Sequence, residues 1–119
     1  MSAKEIVKKF YKSDALIDSE VMKVFLHPDL IIEWNSSKGF IQFNYDSLLN
    51  LSNDLSKAYV RSKVRISHII EENDLVSLRY SHFVKTIENP REEMLLAHFI
   101  AIWEIKDNKL FRGYQMSHL

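Results

Sequence analysis

Two histidines and a group of aromatic residues are the side chains of this chain with chemistry to offer. His82 and His98 lie on β-rich segments. Imidazole titrates near neutrality, so two of them facing one hollow can divide the roles of acid and base. Tyr11 and Tyr80 bring phenolic donors, and Trp34 an indole N–H. No aspartate or glutamate is spaced to complete a two-histidine, one-carboxylate metal triad, and no nucleophile beside a histidine is evident from spacing. Neither a metal nor a cofactor is expected. Cysteine is absent, which excludes disulfides, thiolate nucleophiles and cysteine-bound zinc. The plain alternative for each histidine is a hydrogen-bonded or ligand-contacting residue on a half-buried strand.

The elements that must position these residues follow from a change of period. Up to about residue 59 the apolar residues recur at helical spacing; beyond it they alternate. Ser2-x-x-Glu5 is a capping box that opens a helix with the face Ile6, Val7, Phe10 and Tyr11. Asp18 caps a second helix with the face Val21, Met22, Phe25 and Leu26, which His27-Pro28-Asp29 should end. A strand over 30–34 and a short one over 40–43 follow. Asn44 or Asp46 caps a third helix with the stripe Leu48, Leu51, Leu55, Ala58 and Tyr59. Two antiparallel hairpins complete the chain, with strands over 64–70, 75–87, 95–105 and 110–119 and turns at Glu71–Asp74 and Asp107-Asn108. Helices on one curved antiparallel sheet enclose a hollow.

Alternation sorts each strand into two faces. The more aliphatic set in each strand is assigned to the helix-covered side, because helices must cover an apolar face. That choice lines the hollow with Phe10, Tyr11, Trp34, Tyr80, His82, His98, Ile100, Ile102 and Gln115. It leaves Phe99, Trp103, Arg112, Tyr114 and Met116 on an uncovered outer face, a composition suited to a homodimer interface. Exchanging the two faces is the alternative, and the second group would then line the pocket.

At 119 residues the chain is read as a single domain, 1–119. Lysine plus arginine balances aspartate plus glutamate at 16 each, which gives no electrostatic reason to seek nucleic acid or an anionic membrane. Met1-Ser-Ala-Lys-Glu holds no apolar signal core, and a cytoplasmic setting is expected.

The order helix, helix, strand, helix, long hairpins resembles the nuclear transport factor 2-like superfamily, in its SnoaL-like and ketosteroid-isomerase-like branches. The segments that carry the resemblance are Ile6-Val7-Lys8-Lys9-Phe10-Tyr11, Phe25-Leu26-His27-Pro28-Asp29-Leu30-Ile31-Ile32-Glu33-Trp34, Asp74-Leu75-Val76-Ser77-Leu78-Arg79-Tyr80 and Trp103-Glu104-Ile105-Lys106-Asp107-Asn108-Lys109-Leu110. It implies an α+β, cystatin-like cone, with the N-terminal helices on a strongly curved antiparallel sheet around a pocket, and dimers formed through the outer sheet face. In the isomerase branch a tyrosine on the first helix, an aspartate at the end of the first strand and a late acid carry the chemistry. Here those positions fall on Phe10, Trp34 and the vicinity of Ala101. Phenylalanine cannot donate and indole is no base. Tyr11 and Glu33, one position along, would serve only after a slip in register. Two functions are therefore expected to compete: a homodimeric domain that binds a small apolar or aromatic molecule, and an isomerase or dehydratase that uses a pocket histidine as acid–base.

Overall fold

The computed structural model describes residues 1–118. Ser2 caps α1, Ala3–Lys12, its hydroxyl accepting the Glu5 N–H at 3.2 Å. Ile6, Val7, Phe10 and Tyr11 are buried along one side of this helix. A turn of 3-10 helix, Ala15–Ile17, leads to α2, Ser19–Lys23, whose first N–H groups bond to the Asp18 carboxylate. Helix α2 is shorter than its apolar spacing predicts, because Leu26 already belongs to β1, Leu26–Ser36. Pro28 sits inside that strand instead of ending a helix. It has no N–H to pair, and the ladder to the neighbouring strand jumps from Leu26 to Ile31.

Strand β2, Gly39–Asn44, folds back on β1. Asn44 and Ser47 then satisfy each other's backbone N–H groups in a capping box that opens α3, Tyr45–Ala58. Four long strands follow: β3, Tyr59–Glu72; β4, Leu75–Thr86; β5, Met94–Lys106; and β6, Lys109–His118. Ala58 is exposed and Tyr59 starts β3, so both leave the expected helical stripe. The sheet order is β2-β1-β6-β5-β4-β3. Neighbours are antiparallel except β1 and β6, which run parallel. Helices α1 and α3 lie on the concave side, making an α+β cone with one core inside it. Among the described residues no helix is long and apolar enough to cross a membrane.

The last hairpin decides what faces the hollow. Asp107 and Asn108 have φ of 54° and 60° and form the expected two-residue turn, with Lys106 opposite Lys109 and Ile105 opposite Leu110. A β-bulge at Phe111 then shifts the ladder by one, so Glu104 pairs with Arg112 and Trp103 with Gly113. A shift of one exchanges the faces of everything beyond it. Unbroken pairing would have set Ile102, Ile100 and His98 opposite Gly113, Gln115 and Ser117. The observed partners of Gly113, Gln115 and Ser117 are Trp103, Ala101 and Phe99.

The expected assignment of β5 is thus reversed. Ala97, Phe99, Ala101 and Trp103 are buried on the concave side, while His98, Ile100 and Ile102 are exposed on the convex side. Aliphatic content misled the expectation, because the concave face of β5 is built from aromatics separated by small alanines that leave space for the hollow. For β4 the expectation matches: Val76, Leu78, Tyr80, His82 and Val84 are buried in alternation.

Gly113 is where this packing is tightest. A β-carbon there would stand 2.6 Å from Trp103 Cζ3 and 2.9 Å from Cη2. Trp103 is 2% exposed and has no room to retreat. Gly113→Ala is expected to destabilise the fold by about 1–3 kcal/mol, the usual result of overpacking a tight core. Urea unfolding followed by tryptophan fluorescence measures this; wild-type stability in the variant would show that the ring does not rest on Gly113.

Candidate functional site

A cavity of about 140 Å³ lies between the concave face and the helices. The sheet contributes Ile32 and Trp34 from β1, Tyr80 and His82 from β4, Leu96, Phe99 and Trp103 from β5, and Gln115 from β6. Phe10 and Tyr11 of α1, Leu16, Met22 of α2 and Leu48, Leu51 and Leu55 of α3 complete the wall. The leucines follow i, i+3, i+7 spacing, so the apolar stripe read from the sequence is the stripe that faces the hollow. Phe10, Tyr11, Met22 and Trp103 are fully buried and form the closed end. Trp34, Leu51, Leu55, Leu96 and Gln115 are half-buried, where the cavity meets solvent.

At the closed end, Trp103 Nε1–H donates to the Tyr11 hydroxyl at 2.9 Å. The Tyr80 ring lies against that of Tyr11, with centroids 4.6 Å apart. Burial pushes the Tyr11 phenol up to about 12, and burial followed by the neighbouring Tyr11 raises Tyr80 well above its ordinary value. Both therefore keep their protons at neutral pH. Indole N–H can only donate, so Tyr11 Oη accepts that bond. The Tyr80 ring stacks on Phe99, with centroids 4.8 Å apart and planes at 7°.

His82 is the titratable group at the other end. It is 5% exposed, and its Nε2 lies 2.6 Å from Ser62 Oγ. Burial lowers its pKa to about 4, so the ring is neutral at physiological pH. No sealed side-chain nitrogen or oxygen among the described residues lacks a partner. Nδ1 bonds to no side chain of these residues, and the ring is part of the cavity wall. The Trp34 indole is already engaged, donating to Ser117 Oγ at 2.8 Å. The Gln115 amide makes no side-chain bond to a described residue.

Sequence reasoning joined His82 to His98, and the structure separates them. Ser81, not His82, is opposite His98, whose Nδ1 bonds to Ser81 Oγ at 2.8 Å on the convex face. Ile100 and Ile102 face outward with it, whereas Phe99 and Trp103, expected outside, line the cavity. Phe10, Tyr11, Trp34, Tyr80, His82 and Gln115 are all among the lining residues. Sequence reasoning missed Ser62, which follows β3 into the sheet well before the expected start of that strand. It also missed the Trp103–Tyr11 bond, which depends on the bulge. No carboxylate lines the cavity, and no cluster of three metal-ligating side chains forms among the described residues.

His82 couples the site to stability. The unfolded ring binds a proton below its ordinary value near 6.5, and the folded ring binds one only near 4. Between these values the unfolded chain holds more protons. Stability is therefore complete above about pH 6.5 and falls by up to about 1.4 kcal/mol per pH unit on acidification, levelling near pH 4. Chemical denaturation of wild type and His82→Gln from pH 7.5 to 4 is expected to show this slope in the difference between them; parallel curves would rule it out.

No protein-family model matches the chain, and no curated protein matches it. Solved structures do. IdmH of Streptomyces antibioticus, a candidate polyketide cyclase, superposes with a TM-score of 0.77 at 12% identity, covering 98% of this chain and 92% of its own. An NTF2-like protein of unknown function from Burkholderia pseudomallei gives 0.67 at 13% identity, over 97% and 90% of the two chains. A hypothetical protein of Catenulispora acidiphila with a ketosteroid isomerase-like fold, solved in complex with trimethylamine, gives 0.72 at 9% identity, over 93% and 83%. At these identities the likeness is one of architecture: this chain has the nuclear transport factor 2-like cone fold, in the form shared by SnoaL-like and ketosteroid-isomerase-like proteins.

Proposed function

We propose that this chain is a homodimeric, cytoplasmic domain that binds a compact aromatic or apolar molecule inside its cone. The cavity carries the reading. Its wall is aliphatic and aromatic, and its polar members are few: Tyr11, Tyr80, His82 and Gln115, beside the two tryptophans. Apolar walls with a few placed polar groups are the usual make-up of a small-molecule site. An apolar cavity of roughly 150 Å³ takes a molecule the size of benzene. A one-ring ligand bearing a carbonyl or hydroxyl fits both the volume and the donors. No carboxylate lines the cone to serve the isomerase-type removal of a carbon-bound proton.

The dimer would form through the convex face. With Phe99 and Trp103 turned inward, Ile100 and Ile102 take their place beside Tyr114 and Met116. These four lie on adjacent strands, Ile100 opposite Met116 and Ile102 opposite Tyr114. Ile100 is 56% and Met116 66% exposed, an apolar cluster of the kind that mates in homodimers. Arg112 contributes less, because its guanidinium donates to the Asp29 carbonyl at 2.6 Å and stacks on Phe111 at 3.9 Å.

Native mass spectrometry of protein purified from its host is expected to release a small organic molecule from a dimer. Titration with one-ring aromatic ketones should quench Trp34 and Trp103, and Leu51→Trp, which fills the cone, should weaken that binding by tenfold or more, about 1.4 kcal/mol. A ligand-free protein whose fluorescence none of these compounds alters would defeat the reading. For the dimer, Ile102→Lys with Met116→Lys should sediment as a monomer and still bind in the cone; a monomeric wild type would eliminate the interface.

A further inference from the structure

Three serine–imidazole pairs stand within hydrogen-bond distance among the described residues. Ser67 meets His68 at 3.0 Å and Ser81 meets His98 at 2.8 Å, both through Nδ1 of an exposed histidine. The third, Ser62 with His82, is shorter at 2.6 Å, uses Nε2, and belongs to a buried histidine on the cavity wall. The first two pairs are exposed, whereas the third is part-buried.

The fold fixes this pair from two strands. His82 is opposite Val64 in the β3–β4 ladder, and Ser62, two residues before Val64, is opposite Val84. Ser62 and His82 therefore project from the same concave side. Ser62 is half-buried, not sealed. The His82 ring tilts against Phe99, with centroids 6.5 Å apart. It is neutral at physiological pH, so in the Nδ1–H tautomer Nε2 offers a lone pair to the serine proton. A nucleophile and a base within about 2.6–3.2 Å is the geometry of an activated serine.

We infer that Ser62 is a nucleophile with His82 as its general base, and that the pair accepts an acyl group from a compact activated ester at the open side of the cone. Ser62 Oγ attacks the ester carbonyl carbon as its proton passes to His82 Nε2. The tetrahedral intermediate collapses, the carbon–oxygen bond to the leaving group breaks, and Nε2–H returns the proton to the departing oxygen. The products are an O-acyl serine and a free phenol or alcohol. Water, deprotonated by the same Nε2, then releases the acid and restores the hydroxyl. Among the described residues no carboxylate bonds to Nδ1, so the ring lacks the third member that orients it in a full triad. Deacylation is accordingly slow and the acyl-serine accumulates. This activity goes beyond ligand binding and requires no particular ligand in the cone.

The test is p-nitrophenyl acetate added to the intact protein, with p-nitrophenol release followed by absorbance and the acetylated residue located by peptide mass spectrometry. The expected result is an initial release of about one equivalent and an acetyl group on Ser62. Ser62→Ala should remove that adduct, and His82→Gln should slow its formation about 100-fold or more. Wild type unfolded in urea provides the comparison that needs no variant: Ser62 should lose its reactivity there while lysine acetylation continues. Acetyl groups on lysines alone, Ser62 labelling at an unchanged rate in His82→Gln, or equal Ser62 labelling in urea would each overturn the assignment.

Discussion

The closed end of the cone depends on one contact, the Trp103 ring seated against the bare backbone of Gly113. With no β-carbon below it, the indole lies flat enough for its N–H to reach the Tyr11 hydroxyl on α1. That bond ties the helix layer to the centre of the sheet. Phe10, beside Tyr11, meets the same indole edge-on at 6.1 Å. The aromatic series continues from Tyr11 to Tyr80, Phe99 and Trp34, with centroid spacings of 4.6, 4.8 and 6.0 Å. Rigid rings in edge and stacked contact hold a hollow open better than flexible aliphatic chains, which would close into it.

Polarity inside the cone is divided between two ends. The deep end supplies phenols whose protons are held firmly by burial. The other end supplies the His82 imidazole, which burial keeps neutral at rest. A ligand spanning the hollow meets a donor at one end and a group able to give or take a hydrogen bond at the other. This arrangement suits recognition by hydrogen bonding, and it places the reactive hydroxyl of Ser62 outside the apolar centre.

Much of the architecture was legible in the sequence because it rests on local rules. Capping residues Ser2, Asp18 and Asn44, the apolar face of α1 and the two-residue turn at Asp107-Asn108 are each determined by neighbours a few positions away. The faces of β5 were not legible. They depend on the bulge at Phe111, which no period in the sequence marks, and one unpaired residue exchanged the roles of Phe99 and Trp103 with those of His98, Ile100 and Ile102. Pro28 misled in a similar way, since a helix-ending signal also fits a break in a strand ladder. Half of the expected histidine pair survived because β4 has no such irregularity before His82. Ser62 stayed hidden because its partner lies twenty residues away across a hairpin whose strand begins earlier than its apolar pattern suggests.

The parallel pairing of β1 with β6 also governs the order of events during synthesis. These strands sit side by side in the sheet, yet about two-thirds of the chain separates them, with Ile32 beside Gly113. A ribosome that has made all three helices and β1 to β5 has still not made β6, the strand that joins β1 and β2 to the rest of the sheet. Until β6 emerges, β1 has one unpaired edge and the concave apolar surface lies open to water and to other nascent chains. Folding must then close this long loop in a single late step, which favours slow, all-at-once assembly and makes the unfinished chain the stage most exposed to aggregation.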